Sequence, residues 1–475
     1  MATTRSDTTA APTLDLPQLA EPAAGVDGAG RAAATAARRV EALVDPGSFA
    51  PLRTDVADGV VGGTALLGGR PICVWAQEAT HRGGSLGVAG GETIVTMIER
   101  ADRAGVPVVG LAHSAGARLQ QGVAALSAYG RIFRAQARAR VPQVTLVGGN
   151  CAGGAAYSPA VGDFVVMVGA GARMFLTGPK VVEQVTRERI TADELGGARV
   201  QSANGVAHLC VEDDAEAATV LRALVEFLPD TRGAAVPVAA PVEPPAGSPA
   251  DPLPATTRQV YDVRDVVVRL ADAGSMLELA GRWARNMVTA FARLAGRPVG
   301  VIANQPRHLG GTIDAAASEK GAWFVDLCDQ FGIPLVVLVD TPGFLPGGRQ
   351  ERAGVIRHGA SLLRAFSCAD VPKLTVTLRQ AYGGAYIVMN SRSLGADLTL
   401  AWPGAVIGIM GGRQAVAIVE RDAIAAGADA DALAERYALE RLNAEVSAVG
   451  GHVDAIVAPE QTRERLVRAL ELHGA

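Results

Sequence analysis

The pattern of apolar positions predicts buried strands that end in glycine-rich turns. Apolar runs at 144–148 and 374–378 have the length and composition of buried strands. They lead into Asn150-Cys-Ala-Gly-Gly-Ala-Ala-Tyr157 and Gln380-Ala-Tyr-Gly-Gly-Ala-Tyr386, and each turn can continue as a helix. Small residues let the backbone N–H groups at such a helix start point at an oxyanion. Taken alone, either turn is more typical of tight strand-on-helix packing.

The two turns belong to a longer pattern that occurs twice. Gly116 and Gly343 follow earlier apolar runs and lie 227 positions apart, and Gly154 and Gly384 lie 230 apart. A glycine-rich loop at 81–87 is likewise mirrored at 308–314. The spacing predicts an internal duplication of one strand-turn-helix domain. Each half would then present one oxyanion-binding turn, for two oxyanions or two facing reactants.

The same pattern divides the chain into segments. Residues 1–30 lack periodicity and are predicted to be a disordered leader. We predict an N-terminal domain over 31–228, a linker rich in proline and alanine over 229–257, and a C-terminal domain over 258–475. Helices are predicted over 31–43, 92–104, 215–228, 262–273, 315–331 and 461–472.

Composition narrows the class of protein. An apolar content of 49% with 56 glycines suits a densely packed α/β enzyme, and a net charge of −4 gives no argument for nucleic acid or an anionic membrane. The five cysteines form no CxxC pair, which fits a reducing cytoplasm. No apolar run of about 18 residues and no signal pattern occur, so we expect a cytoplasmic protein without a membrane span.

Few side chains suggest chemistry. No histidine spacing fits a metal site, and Ser114 does not stand in the Gly-x-Ser-x-Gly pattern of a nucleophile. His113, His208 and His358 lie near predicted loops, but lone histidines there are more often structural. The glycine loop at Gly83 and Gly84 lacks the Lys-Ser/Thr of a nucleotide-hydrolysing loop. The strongest chemical feature is therefore the backbone N–H groups of the two turns, since such donors typically contribute about 3 kcal/mol each.

A set of ordered motifs resembles a known family. They include Ser114-Ala-Gly-Ala-Arg-Leu, Ala152-Gly-Gly-Ala-Ala-Tyr-Ser-Pro-Ala, Phe175-Leu-Thr-Gly-Pro, Glu194-Leu-Gly-Gly-Ala, Gly205-Val-Ala-His, Asp340-Thr-Pro-Gly-Phe-Leu-Pro-Gly, Ile356-Arg-His-Gly-Ala, Tyr382-Gly-Gly-Ala-Tyr and Ala401-Trp-Pro. Over about residues 40–457 the chain resembles the carboxyltransferase (β) subunit of biotin-dependent acyl-CoA carboxylases, of the short actinobacterial acetyl-/propionyl-CoA type. The resemblance implies an α/β fold made of a duplicated crotonase-like ββα superhelix in two related domains.

The resemblance also implies the activity and the partners. A carboxyl group would pass from carboxybiotin to the α-carbon of acetyl-CoA or propionyl-CoA, giving malonyl-CoA or methylmalonyl-CoA, without a side-chain base. Biotin would sit on a separate biotin carboxylase or carrier chain, because the sequence has no biotinylation motif. The implied assembly is a homohexamer whose sites lie between the N-terminal half of one subunit and the C-terminal half of another. A small accessory subunit is a further implied partner. Nucleic acid, membrane and metal are not expected.

Site residues follow from the matched motifs. The oxyanion holes are expected at Gly153 and Gly154 for the thioester and at Gly384 and Ala385 for biotin. The expected substrate-binding residues are Gly83, Gly84, Ser114, Ala152, Tyr157, Gly178, Pro179, Gly196, Gly197, Gly343, Phe344, Tyr382, Gly383, Tyr386 and Ile387.

Two features bear on the exact reaction. By the resemblance, isoleucine at position 387 is typical of enzymes that accept acetyl-CoA, whereas an acidic residue is typical of propionyl-selective ones. A position in the helix core would explain the isoleucine equally well. Ala115 stands where the family usually has glycine. Two alternatives stay open: a biotin-dependent acyl-CoA decarboxylase subunit, and a non-catalytic paralogue within a carboxylase complex.

Overall fold

The computed structural model describes residues 35–56, 58–256 and 259–474. The predicted leader at 1–30 lies outside the described residues.

The N-terminal half combines strands with helices on both sides. Its strands are β1 (Ala50–Leu52), β2 (Val60–Leu67), β3 (Arg70–Gln77), β4 (Val108–Ser114), β5 (Gln143–Ala152), β6 (Phe164–Val168), β7 (Arg173–Phe175) and β8 (Leu209–Val211). Its helices are α1 (Ala36–Leu43), α2 (Val88–Ala104), α3 (Val123–Arg138), α4 (Gly154–Val161), α5 (Pro179–Thr186), α6 (Ala192–Gly196), α7 (Ala198–Ala203) and α8 (Asp214–Phe227). Short 3₁₀ turns cover Arg82–Gly84 and Leu119–Gln121.

The C-terminal half repeats this arrangement. Its strands are β9 (Leu277–Leu279), β10 (Met287–Leu294), β11 (Arg297–Asn304), β12 (Leu335–Thr341), β13 (Lys373–Tyr382), β14 (Leu398–Ala401), β15 (Val406–Gly408) and β16 (Ala455–Ile456). Its helices are α9 (Val263–Leu270), α10 (Ala315–Gln330), α11 (Gly348–Arg352), α12 (Val355–Cys368), α13 (Gly383–Val388), α14 (Gly412–Val419), α15 (Arg421–Ala425), α16 (Ala430–Arg441), α17 (Ala444–Val449) and α18 (Thr462–Leu472). Its 3₁₀ turns are Leu309–Gly311, Arg392–Leu394 and Pro459–Gln461.

The two halves have the same sheet topology. The first sheet runs β1-β2-β3-β4-β5-β6-β8 with β7 on β5, and the second runs β9-β10-β11-β12-β13-β14-β16 with β15 on β13. In both, the first three strands are antiparallel and the rest parallel. Even the register shifts match, between Ala112 and Ser114 in one half and between Val339 and Thr341 in the other. The duplicated α/β fold expected from the sequence is confirmed.

The halves share one hydrophobic core. The Phe291 ring on β10 lies 5.4 Å from Phe227 on α8 and 6.3 Å from Phe164 on β6. His208 stacks on Trp323 of α10 at 4.4 Å, and its carbonyl accepts a hydrogen bond from the Ala280 N–H at 2.8 Å. Burying aromatic rings of this size dominates the stability of such a contact. The N- and C-terminal halves of one chain are therefore packed firmly against each other.

Most predicted elements are present, with shifted ends. The helix predicted from 92 begins at Val88, and the one predicted over 262–273 covers Val263–Leu270. The predicted linker contains no helix or strand among its described residues. The sequence pattern does not predict the buried strand β10. Across the described part of the chain, no helix combines the length and the apolarity needed to cross a bilayer.

Candidate active site

The N-terminal turn joins β5 to α4. Gly153 has φ +59° and ψ −126°, a conformation that a side chain would strain, and α4 begins at Gly154. The Gly153 N–H donates to the Phe175 carbonyl at 3.1 Å. The next two amides, of Gly154 and Ala155, have no acceptor among the described residues. The first amides of a helix lack intrahelical partners, so these two are available to an anionic oxygen.

The C-terminal turn joins β13 to α13 in the same way. Gly383 has φ +58°, which matches Gly153, so Gly384 and Ala385 are the counterparts of Gly154 and Ala155. Within the described chain, the amides of Gly384 and Ala385 also have no acceptor. The two predicted pairs, Gly153 with Gly154 and Gly384 with Ala385, are therefore offset by one position relative to the internal repeat.

An aromatic ring supports each turn. A Cβ atom on Gly154 would lie 2.8 Å from the Tyr129 ring, and one on Gly384 would lie 3.5 Å from the Phe344 ring. Tyr129 is on α3, whereas Phe344 follows β12. The Tyr129 hydroxyl is 3.2 Å from the Ser114 Oγ, which in turn accepts from the Gly116 N–H. Ser114 is therefore a structural anchor of the turn. Burial raises the pKa of Tyr129 to about 12, so its hydroxyl stays protonated.

The glycine loops at 82–84 and 309–311 rest on the neighbouring strand ends. A Cβ atom on Gly84 would lie 2.1 Å from the His113 carbonyl oxygen, and one on Gly311 would lie 2.5 Å from that of Asp340. The Gly83 carbonyl accepts from the Ala115 N–H, and the Gly343 carbonyl accepts from the Ile313 N–H. Close backbone approach explains Gly84 and Gly311 without a ligand. Gly83 has open space where a Cβ would stand.

Other predicted site residues divide into two groups. Gly196 and Gly197 are explained by packing, because Cβ atoms there would lie 2.0 Å from the Met174 carbonyl oxygen and 2.8 Å from that of Asp193. Pro179 occupies the first turn of α5 after the extended Gly178. The residues that follow the two turns remain accessible: Tyr157 is 51% exposed and Ile387 is 45% exposed. Ala152, Tyr382 and Tyr386 are half-buried, and burial raises the pKa of both tyrosines.

His208, Arg118 and Asp58 make structural contacts. His208 is half-buried, its Nδ1 accepts from the Val165 N–H, and the loss of hydration there lowers its pKa to about 4. The Arg118 guanidinium belongs to the Ser114-Ala-Gly-Ala-Arg motif but is not among the predicted site residues. It binds Asp58 and donates to the Ser85 carbonyl at 2.8 Å. Burial opposes ionisation of Asp58, but hydrogen bonds from Arg118 and the Gly90 amide outweigh it, and the pKa of that carboxyl is lowered. In the described part of the chain, no group of histidine, cysteine or acidic residues could hold a metal.

Exposed apolar residues occupy equivalent positions in the two halves. Leu176 and Ile409 each follow the short strand beside a turn, and the Ile409 carbonyl lies 3.1 Å from where a Gly383 Cβ would stand. Val185 on α5 matches Ile418 on α14, and both are exposed. Apolar surface repeated around both turns is typical of a protein interface.

The comparisons with known proteins agree with this geometry. The Carboxyl transferase domain family matches residues 29–474. The chain is 43% identical to the propionyl-CoA carboxylase beta chain of Saccharopolyspora erythraea, covering 92% of this chain and 87% of the relative. It is also 43% identical to the methylmalonyl-CoA carboxyltransferase 12S subunit of Propionibacterium freudenreichii subsp. shermanii, covering 93% and 88%.

A solved structure is similar throughout. The transcarboxylase 12S hexamer with methylmalonyl-coenzyme A and methylmalonic acid bound superimposes with a TM-score of 0.89 at 42% identity, covering 93% of this chain and 89% of that one. A match of this extent, with both turns intact, shows that the chain belongs to the Carboxyl transferase domain family and is a biotin-dependent acyl-CoA carboxyltransferase β subunit.

Proposed function

We propose that the protein carboxylates the α-carbon of short-chain acyl-CoA, with acetyl-CoA and propionyl-CoA as substrates. The observation that carries this proposal is the pair of equivalent turns, each with two amides that have no acceptor among the described residues. Relatives named propionyl-CoA carboxylase and acetyl-/propionyl-coenzyme A carboxylase support the substrate class. When bound, carboxybiotin supplies the carboxyl group.

The residues of the chain act through their backbone. The Gly154 and Ala155 amides would hold the thioester oxygen as it gains negative charge, because their N–H groups are fixed at the start of α4. We prefer this pair to Gly153 with Gly154, since the Gly153 N–H already binds the Phe175 carbonyl. Gly384 and Ala385 would hold the ureido oxygen of biotin. Preorganised donors of this kind typically contribute about 3 kcal/mol each to the transition state.

We propose that the two turns meet in one active site where copies of the chain associate. The exposed pairs Leu176 with Ile409 and Val185 with Ile418 give each half an apolar surface beside or near its turn. A related 12S protein assembles as a hexamer. We propose a homohexamer in which the N-terminal half of one subunit faces the C-terminal half of another, with biotin delivered by a separate carrier chain.

The reaction can be tested without that carrier. The purified chain is incubated with methylmalonyl-CoA or malonyl-CoA and free biotin, and loss of the carboxylated thioester is followed. Biotin-dependent turnover of both methylmalonyl-CoA and malonyl-CoA is expected. A Gly154→Val/Gly384→Val variant that elutes at the wild-type position in size-exclusion chromatography should show no turnover. A wild-type chain that is inactive here and also with biotinylated carrier would be a non-catalytic paralogue. A wild-type chain that consumes the carboxylated thioester, but does not transfer a carboxyl group from carboxylated carrier to acyl-CoA, would favour the decarboxylase.

A further inference from the structure

A groove between α2 and α3 is lined by arginines. Its volume is about 660 Å³, and five guanidinium groups line it together with one glutamate and one aspartate. The arginines are Arg103, Arg131, Arg134, Arg138 and Arg140, and the acids are Glu99 and Asp102. The lining therefore carries a positive charge in a chain whose net charge is −4.

Three of these arginines have no counter-ion in the described part of the chain. Arg140 pairs with Asp102 at 3.4 Å, and Arg131 lies 3.7 Å from Glu92. Among the described residues, Arg103, Arg134 and Arg138 have no carboxylate within ion-pair distance. Arg131, Arg134 and Arg138 recur at helical spacing on α3, so their guanidinium groups follow one ridge of about 10 Å.

The internal repeat shows that the fold does not require these arginines. Asp102 binds the Arg140 N–H, and its counterpart Asp329 binds the Asp370 N–H in the same way, so this connection is built alike in the two halves. In the C-terminal half, however, the positions of Arg103, Arg131, Arg138 and Arg140 hold Gln330, Ser361, Cys368 and Asp370. Only Arg134 has a basic counterpart, Arg364.

The end of the groove formed by Arg138 and Arg140 lies far from the glycine turn. Arg138 and Arg140 precede β5, whereas the glycine turn follows it, so the ten residues of β5 lie between them. A strand of that length spans about 33 Å. The apolar residues at the bottom of the groove are buried, since Ile98 is only 1% exposed. The groove therefore offers little apolar surface to an amphipathic helix. What the groove offers is several guanidinium groups, which suit phosphate oxygens.

We infer that the groove between α2 and α3 binds a small molecule with two or more linked phosphates, at a site distinct from that of the acyl-CoA thioester. The ridge of three arginines matches the length of a phosphate chain, and Arg103 faces it from α2. The phosphates can belong to a nucleotide or to an inorganic polyphosphate.

The test is isothermal titration of the full-length chain with inorganic tripolyphosphate and, separately, with ATP at low ionic strength. Saturable binding is expected. It should weaken at least tenfold in Arg134→Glu/Arg138→Glu, whose side chains are exposed and have no carboxylate partner in the described chain. Arg364→Glu, the counterpart in the other half, is the matched control and should bind like the wild type. Equal affinity for tripolyphosphate and ATP would show that the groove recognises the phosphate chain. Tighter binding of ATP would show that the groove also contacts the nucleoside.

Three outcomes would overturn the inference. Wild type could fail to bind either ligand saturably, the double variant could bind like the wild type, or Arg364→Glu could weaken binding as much as the double variant. A fourth outcome would contradict the separation from the acyl-CoA site. If the KM for propionyl-CoA rises in Arg134→Glu/Arg138→Glu in parallel with the loss of tripolyphosphate binding, the groove belongs to the substrate site. Because titration measures binding directly, it does not depend on the proposed carboxylation.

Discussion

Tyr129 lies directly beneath Gly154: a Cβ atom on that glycine would stand 2.8 Å from the Cγ of the tyrosine ring. The equivalent contact in the other half is looser, because the Phe344 ring lies 3.5 Å from the position of a Gly384 Cβ. The two turns share backbone geometry but differ in how much room they leave.

The difference predicts unequal effects of one methyl group. Gly154→Ala should move the start of α4 and its amides away from the thioester oxygen, lowering kcat roughly 10²-fold, the typical cost of losing one such donor. Gly384→Ala places its methyl at ordinary contact distance and should keep kcat within about fivefold. Steady-state kinetics with propionyl-CoA measure both. Equal losses in two well-folded variants would contradict the role of Tyr129 in setting the turn.

The duplication and the turns were predictable because glycine-rich motifs recur at nearly constant spacing. The supporting rings were not, because they come from different elements. Tyr129 corresponds to Gly359 and Phe344 to Ala117, so no repeated motif marks them.

The strand β10 was missed for a related reason. All of Met287–Leu294 is buried, yet the strand contains Thr289 and Arg293. Thr289 donates to the Leu279 carbonyl, and Arg293 donates to carbonyl groups of Glu226, Pro237 and Gly296. Glu226 and Pro237 are distant from Arg293 in sequence, so the sequence pattern does not show that this polar side chain is buried with its hydrogen bonds satisfied.

Tyr129 itself should act as a positioning residue. Tyr129→Phe keeps the ring and loses only the contact with Ser114, so kcat should fall less than about threefold. Tyr129→Leu removes the ring beneath Gly154 and should lower kcat at least tenfold while KM for biotin changes little, because biotin is proposed to bind the other turn. Truncating a buried aromatic residue lowers the free energy of unfolding by about 3 kcal/mol or more. Thermal denaturation therefore shows whether the loss of kcat in Tyr129→Leu comes from unfolding. A Phe variant as impaired as Leu would assign the effect to the hydroxyl.

His208 should make stability depend on pH. Burial lowers its pKa from 6.5 to about 4, so the unfolded state binds more protons between these values. The contribution to stability is complete above pH 6.5 and is lost as pH falls toward 4, by up to about 3 kcal/mol. Chemical denaturation at stepped pH should show this slope in the wild type and a flatter one in His208→Asn.

Asp163 opposes this slope and provides the control. Burial raises its pKa to about 6, against hydrogen bonds from Gln143 and Gln330, so its contribution is lost as pH rises from 3.8 through 6. Asp163→Asn should therefore steepen the acid loss that His208 causes. If the asparagine variants of His208 and Asp163 change the pH slope in the same direction, one of the two assignments is wrong.

We predict that Ile387 selects the acyl group. It follows Ala385 by two residues on α13 and is 45% exposed, so the interpretation of this position as helix core is wrong. A branched apolar side chain beside the turn narrows the pocket and gives dispersion contacts to a short acyl chain. A carboxylate there would need a polar partner to be tolerated once the pocket closes.

We therefore expect the wild type to use acetyl-CoA and propionyl-CoA and to use butyryl-CoA poorly. One methylene in such a pocket is worth about 1–3 kcal/mol, so the preference between the first two should be modest. Ile387→Asp should shift kcat/KM toward propionyl-CoA, and Ile387→Val, which keeps the apolar branch, is the matched control. Rejection of acetyl-CoA by the wild type, or an unchanged ratio in Ile387→Asp, would show that selection lies elsewhere. In that case the exposed Ile387 would be free to serve the subunit interface, and Ile387→Asp would weaken the hexamer in sedimentation without altering the substrate ratio.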